Sequence, residues 1–284
     1  MNFLKALFGG KAKTPEEEKK DSEVHDFNVL KYDGKQALVQ GDTKFAVKCL
    51  THALDIKDDP ETRDYLSQAL IREGDLLKAY EHLQKLSETE PDNIKIYMRM
   101  ANVSFMMEDY NAMANSCEKA LLVDKDMPEL MYLYAQARIG LGDTSNAVAM
   151  LTKAINLRED YGDAYLLRGE TLLEDGNLKD AEEDAEWLME HHADIEEVLL
   201  LNARLEKAQG NADKAIEIYG RVIDVNPFSI EAYTERATVK LEQGDQAGHD
   251  EDMQKVNEIS PEVNEEDIER KMEQKYKDNN PYGF

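Results

Sequence analysis

Apolar and small side chains recur along most of this chain three and four residues apart, the spacing of one helical face and not the alternation of a strand. A Gly-Asp or Gly-Asn pair interrupts them at near-constant intervals: Gly41-Asp42, Gly74-Asp75, Gly142-Asp143, Gly176-Asn177, Gly210-Asn211 and Gly244-Asp245. The steps are 33 or 34 residues, with one double step of 68. The middle of that double step falls on Glu108-Asp109, which keeps the Asp and loses the Gly. Gly tolerates the left-handed turn that ends a helix, and Asp or Asn caps the next one. The pattern predicts tandem helical hairpins with the pair at each turn.

Other positions agree when each unit is numbered from one with its Gly at fifteen. The units are then 27–59, 60–93, 94–127, 128–161, 162–195, 196–229 and 230–263. Column eight is always small: Gly34, Ser67, Ala101, Ala135, Gly169, Ala203 and Ala237. Column twenty is alanine at Ala46, Ala79, Ala147, Ala181 and Ala215, with Met113 and His249 as exceptions. Column twenty-seven is apolar throughout, from Ala53 and Leu86 to Val222 and Val256. Small residues at eight and twenty let the two helices of a hairpin approach closely. Pro91, Pro227 and Pro261, near column thirty-two, stop a second helix and can open the next first one.

With these columns the chain resembles the tetratricopeptide repeat family over 27–263. The resemblance implies an all-α, right-handed superhelical solenoid of seven helix-turn-helix units, most of one superhelical turn, with the first helices lining a concave groove. His249 is bulky where alanine is expected, so the seventh unit is expected to pack more loosely. Residues 1–26 carry the run Glu16-Glu17-Glu18-Lys19-Lys20 and are expected to be partly unstructured. Residues 264–277 place Ile268, Met272 and Tyr276 on one stripe, as a capping helix requires, and a tail follows to 284.

Composition narrows the function. With 60 acidic against 34 basic residues, the net charge of −26 repels nucleic-acid phosphates and anionic lipid surfaces. Cys49 and Cys117 lie far apart without metal or disulfide spacing, which fits a reducing, cytoplasmic compartment. No run is long enough to span a bilayer. Phe3, Leu4, Leu7 and Phe8 share one face of a short N-terminal stretch, where membrane contact is conceivable but brief.

Chemistry is not signalled. A P-loop, a GxSxG elbow and an HExxH helix are all missing. Gly140-Leu141-Gly142 is repeat punctuation, and His191-His192 sits where a second helix ends and can complement its dipole. No enzyme, metal or cofactor is expected.

Columns two, five, nine and twelve of each first helix share one face. By the resemblance this face lines the groove. It offers Asn28, Lys31, Lys35 and Leu38; Glu61, Asp64, Gln68 and Ile71; Lys95, Met98, Asn102 and Phe105; then Glu129, Tyr132, Gln136 and Ile139. Farther on come Asp163, Leu166, Glu170 and Leu173, then Glu197, Leu200, Arg204 and Lys207, then Glu231, Thr234, Thr238 and Leu241. Lys31, Lys35, Arg72, Lys95 and Arg99 gather basic charge near one end. Some family members clamp an acidic C-terminal tail there. Lys31, Lys95 and Arg99 match that pattern, whereas Lys35 and Tyr65 replace its asparagines and Asp64 adds a competing charge. Met98, Met106, Met107, Tyr132 and Ile139 offer an adaptable apolar floor, unless they serve as core between units. The expected partner is another protein or a peptide, held by a scaffold without catalysis. Self-assembly through the groove or the tail, and a membrane-tethered adaptor, are the competing readings.

Overall fold

The structure is a computed structural model and describes residues 14–260. The expected capping helix at 264–277, the tail and the apolar stretch Phe3–Phe8 lie outside the described residues. Among the described residues there are fourteen α-helices and no strand. They pair into seven hairpins, each closed by a short turn.

The chain divides into two compact units, 1–159 and 160–284. The first holds α1 (Pro15–Gln40), α2 (Thr43–Ile56), α3 (Pro60–Glu73), α4 (Leu76–Thr89), α5 (Ile94–Met106), α6 (Tyr110–Val123), α7 (Pro128–Gly140) and α8 (Thr144–Leu157). The second holds α9 (Gly162–Glu174), α10 (Leu178–His192), α11 (Glu196–Ala208), α12 (Ala212–Val225), α13 (Ile230–Glu242) and α14 (Gln246–Ile259). Within each unit the second helix of one hairpin packs on the first helix of the next. No helix among the described residues is long and apolar enough to cross a membrane.

The turns follow the glycine spacing. Gly41 has φ 85° and Gly244 has φ 83°, in the left-handed region. The next N–H reaches back five residues, as Asp42 N–H does to the Ala37 carbonyl at 2.9 Å, which satisfies a helix-end acceptor. Where the glycine is lost, Glu108 takes the same turn at φ 56° and bears the strain itself. Capping by the following residue is less uniform. Asp42, Asp109, Asp143 and Asp245 accept from a backbone N–H of the next helix. Asp75, Asn177 and Asn211 do not; their side chains engage Lys78, Asp180 and Glu206 instead.

The small columns are where the helices touch. Ala46, Ala79, Ala147, Ala181 and Ala215 are fully buried. At Gly34 a Cβ would lie 2.5 Å from Leu50 Cγ, and at Gly169 it would lie 2.9 Å from Leu201 Cδ2. In the first unit Met100, Met113 and Leu130 pack with Tyr97 and Tyr134 around α5–α7, so most methionines there fill core. In the second unit Leu199, Tyr219 and Val222 anchor α11–α13.

Both ends of the described chain add detail to an expectation. Residues 15–26 are helical: α1 starts at Pro15, behind a capping box in which Thr14 and Glu17 exchange hydrogen bonds of 2.8 and 3.3 Å. The Thr-Pro-Glu-Glu signal for that start is legible in the sequence and outweighs the charge run. In the seventh hairpin His249 finds a place by meeting the Ala237 carbonyl at 3.2 Å. The buried residue of α14 is Asp252, held by Arg236 and Lys240, so polar pairing replaces apolar burial there.

Candidate functional site

Of the basic residues near the N-terminal end, Lys31 and Arg99 are committed to the protein's own carboxylates. Lys31 donates to Asp59 at 2.8 Å and to Glu61 at 2.6 Å. Tyr65 donates to Glu61 at 2.9 Å, and the Lys35 ammonium lies 5.1 Å from the Tyr65 ring centre. Arg99 pairs with Asp64 and donates to the Ser67 hydroxyl. Arg72 donates to the Leu38 carbonyl at 2.8 Å.

These pairs shift the groups that form them. Burial alone would raise the Asp59 carboxyl, but Lys31 and the N–H and hydroxyl of Thr62 outweigh it and hold the group at about 2. Glu61 is lowered by the Lys31 and Tyr65 hydrogen bonds. Lys31 is raised: its burial would lower it, and the two carboxylates more than compensate. Of the three cations that match the clamp pattern, Lys31 and Arg99 are therefore paired within the protein. Asp59 went unnoticed in the sequence, although Asp before Pro is a helix-start signal.

Lys95 differs. It is exposed and forms no hydrogen bond or ion pair with any described residue. It borders a cleft of about 910 Å³ whose apolar lining includes Pro91, Ile94, Met98 and Met127. A smaller cleft of about 600 Å³ adjoins it, shares Glu90, Asn93 and Lys95, and carries Asp59, Asp64 and Arg99. The loop Glu90–Asn93 lines both, a contribution that only the packing of α4 against α5 reveals.

From this cleft the first-helix face continues along two neighbouring helices. On α5 it presents Lys95, Met98, Asn102 and Phe105; on α7 it presents Glu129, Tyr132, Gln136 and Ile139. Matching positions carry matching chemistry: a charge, an apolar or aromatic side chain, an amide, then an apolar side chain. Glu129 is paired with Arg158 at 2.6 Å. Met98, Tyr132, Gln136 and Ile139 are half-buried, whereas Asn102 and Phe105 are exposed, Phe105 resting edge-on against Tyr110. Met106 is exposed, while Met107 packs against the core.

In the second unit the corresponding face is acidic. Arg204 meets Glu235 at 2.9 Å, Glu170 at 3.9 Å, and Glu231. The Glu170 carboxyl is pushed up by burial and by neighbouring Glu174, Glu231 and Glu197, against the pull of Arg204. Leu200 is buried and Leu166 half-buried, so the apolar floor thins out here.

Models described as tetratricopeptide repeat match residues 132–186 and 197–229. The chain is a tetratricopeptide repeat protein. A tetratricopeptide repeat protein from Parabacteroides merdae superposes with a TM-score of 0.70 at 18% identity, covering 84% of this chain and 95% of that one. YrrB, described as a tetratricopeptide repeat protein with an unusual peptide-binding site, gives 0.50 at 18% identity, over 64% and 93%. At such identities the likeness concerns the fold. In sequence, the DnaJ homolog subfamily C member 3 of Homo sapiens is 23% identical over 274 residues, 93% of this chain and 50% of that protein. The chain thus spans about half the length of that relative, and 33% of its Gallus gallus counterpart.

Proposed function

We propose that this tetratricopeptide repeat protein is a non-enzymatic scaffold, and that the α5–α7 face of its first unit holds a segment of another polypeptide. The observation that carries this is the unpaired Lys95 at the mouth of an apolar cleft that runs into the paired Met98/Tyr132 and Asn102/Gln136 positions. Half-buried apolar side chains give a segment something to bury, and the two amides can bond its backbone. Arg99 lines the adjoining cleft, and Lys31, Arg72 and Arg99 are already bonded within the protein, which leaves them less able to attract charge than Lys95; Lys35 lies over the Tyr65 ring. The peptide-binding site named for YrrB lends support by analogy of fold.

The test is Met98→Asp combined with Tyr132→Asp. Capture of partner protein from native lysate is expected to fall by about tenfold or more, as loss of a buried anchor does, while helical circular dichroism stays unchanged. Undiminished capture by the folded double variant would refute the assignment.

A further inference from the structure

At column thirty-three, in the loop after each second helix, the first five units carry aspartate: Asp59, Asp92, Asp126, Asp160 and Asp194. The sixth carries Phe228, whose side chain is 74% exposed. Hydrogen bonds within the loop hold it there. Phe228 N–H donates to Asn226 Oδ1 at 3.1 Å, and Ser229 N–H donates to the Asn226 carbonyl at 3.1 Å. The Ser229 hydroxyl oxygen accepts from Ala232 N–H at 3.3 Å, which fixes the start of α13.

Apolar neighbours widen the surface. Val225 is 48% exposed and Ile230 41%. Ile195, 44% exposed, ends the preceding loop. The Asn226 amide ties the two loops together by donating to Glu196 Oε2 at 2.7 Å. The four apolar side chains leave on the order of 350 Å² in water, the size of the largest apolar patch on a typical monomer. Apolar side chains scattered singly are ordinary on a surface, but four gathered around an outward aromatic mark a contact.

Charge indicates what kind of contact. Neither 193–196 nor 224–231 contains a lysine or arginine. Asp194 and Asp224 stand directly beside Ile195 and Val225, exposed and without an ion pair to any described residue. Glu196 and Glu231 are engaged by Asn226 and Arg204. Arg221, one turn before Val225, is the nearest opposing charge in sequence.

We propose that this loop surface of the second unit docks a basic segment of another polypeptide, one in which a large apolar side chain stands beside Lys or Arg. Phe228 and its neighbours bury the apolar side chain, and Asp194 and Asp224 pair with the cations. The apolar contact supplies most of the affinity, and the carboxylates at its rim select the sign of charge. The surface uses no residue of the α5–α7 face, so either can fail without the other.

The test is selection of a phage-displayed random peptide library on the full chain, with clones sorted by binding to Phe228→Ser and to Asp194→Lys/Asp224→Lys. All three positions are exposed, and helical circular dichroism checks that each variant is folded. A class of clones is expected in which Leu, Phe or Trp lies next to Lys or Arg. These should bind Phe228→Ser about tenfold or more weakly than wild type. They should bind Asp194→Lys/Asp224→Lys about threefold more weakly, a loss that fades as salt rises. Three results overturn the proposal. One is that no selected clone distinguishes wild type from Phe228→Ser. Another is a Phe228-dependent class that lacks basic residues or ignores the two introduced lysines. The third is a mass that doubles with concentration in wild type but not in Phe228→Ser, which assigns the surface to a second copy.

Discussion

Replacing Asp59 separates the two tasks that one carboxylate performs at the start of α3. Its Oδ2 accepts the Thr62 N–H at 2.9 Å and the Thr62 hydroxyl at 2.7 Å, which caps the helix. The same oxygen accepts from Lys31 at 2.8 Å, which ties α3 to α1. Together these hold the carboxyl at about 2, against an ordinary 3.8. The folded pKa is depressed, so the stabilisation is fully present above about pH 4 and fades as the pH falls through 2. The difference corresponds to roughly 2 kcal/mol at about 1.36 kcal/mol per pH unit. Because the side chain is only 17% exposed, solvent screening removes little of it. Asparagine caps helices about as well as aspartate, so Asp59→Asn keeps the first task and loses the second. Lys31 still has Glu61 at 2.6 Å, which limits the loss at pH 7 to about 1–2 kcal/mol. Asp59→Ala should lose about 1 kcal/mol more, the value of the cap. Urea unfolding followed by circular dichroism, repeated from pH 7 to pH 2, measures both. Wild type should lose its advantage over Asp59→Asn between pH 4 and pH 2. Parallel pH profiles for the two proteins would show that the Lys31 contact does not shift this carboxyl.

Other expectations follow from single contacts. Arg168 grips the buried Asp184 through two hydrogen bonds of 2.9 and 2.6 Å between α9 and α10. Asp184→Leu alone should cost about 3 kcal/mol in urea unfolding by removing the carboxylate that balances the part-buried guanidinium, whereas Arg168→Leu/Asp184→Leu should recover most of it. The Cys117 thiol is fully buried and pushed up to about 12 by that burial, with the Glu118 charge adding to it. A thiol-disulfide reagent at pH 8 should leave native protein unlabelled at Cys117 and modify both cysteines in urea. Gly34→Ala should lower stability by about 1–3 kcal/mol, since its new methyl must displace Leu50.

Much of this fold is local in origin and could be read ahead of the coordinates. A left-handed turn every 33 or 34 residues, a small residue at columns eight and twenty and an apolar one at twenty-seven each act within one hairpin. Glu108 shows how strongly the surrounding columns impose the turn, for it adopts φ 56° without being glycine. The start of α1 was equally legible in Thr14, Pro15 and Glu17, and the charge run beside them concealed it. Capping was read too uniformly, because Asp75, Asn177 and Asn211 are drawn to side-chain partners instead.

The candidate site depended on distance through space. Columns placed Lys31, Lys95 and Arg99 on first-helix faces, yet their availability to a ligand is decided by neighbours about 30 residues away. Asp59 and Glu61 occupy Lys31, Asp64 occupies Arg99, and Lys95 is left open. The cleft beside Lys95 likewise needs the Glu90–Asn93 loop and Met127 to meet, and they belong to successive hairpins. Helix periodicity and turn chemistry act over a few bonds, so the amino-acid order alone determined the hairpins. Ion pairing and cleft formation act between side chains that meet only after those hairpins stack, so the tertiary structure alone decided which cations remain available.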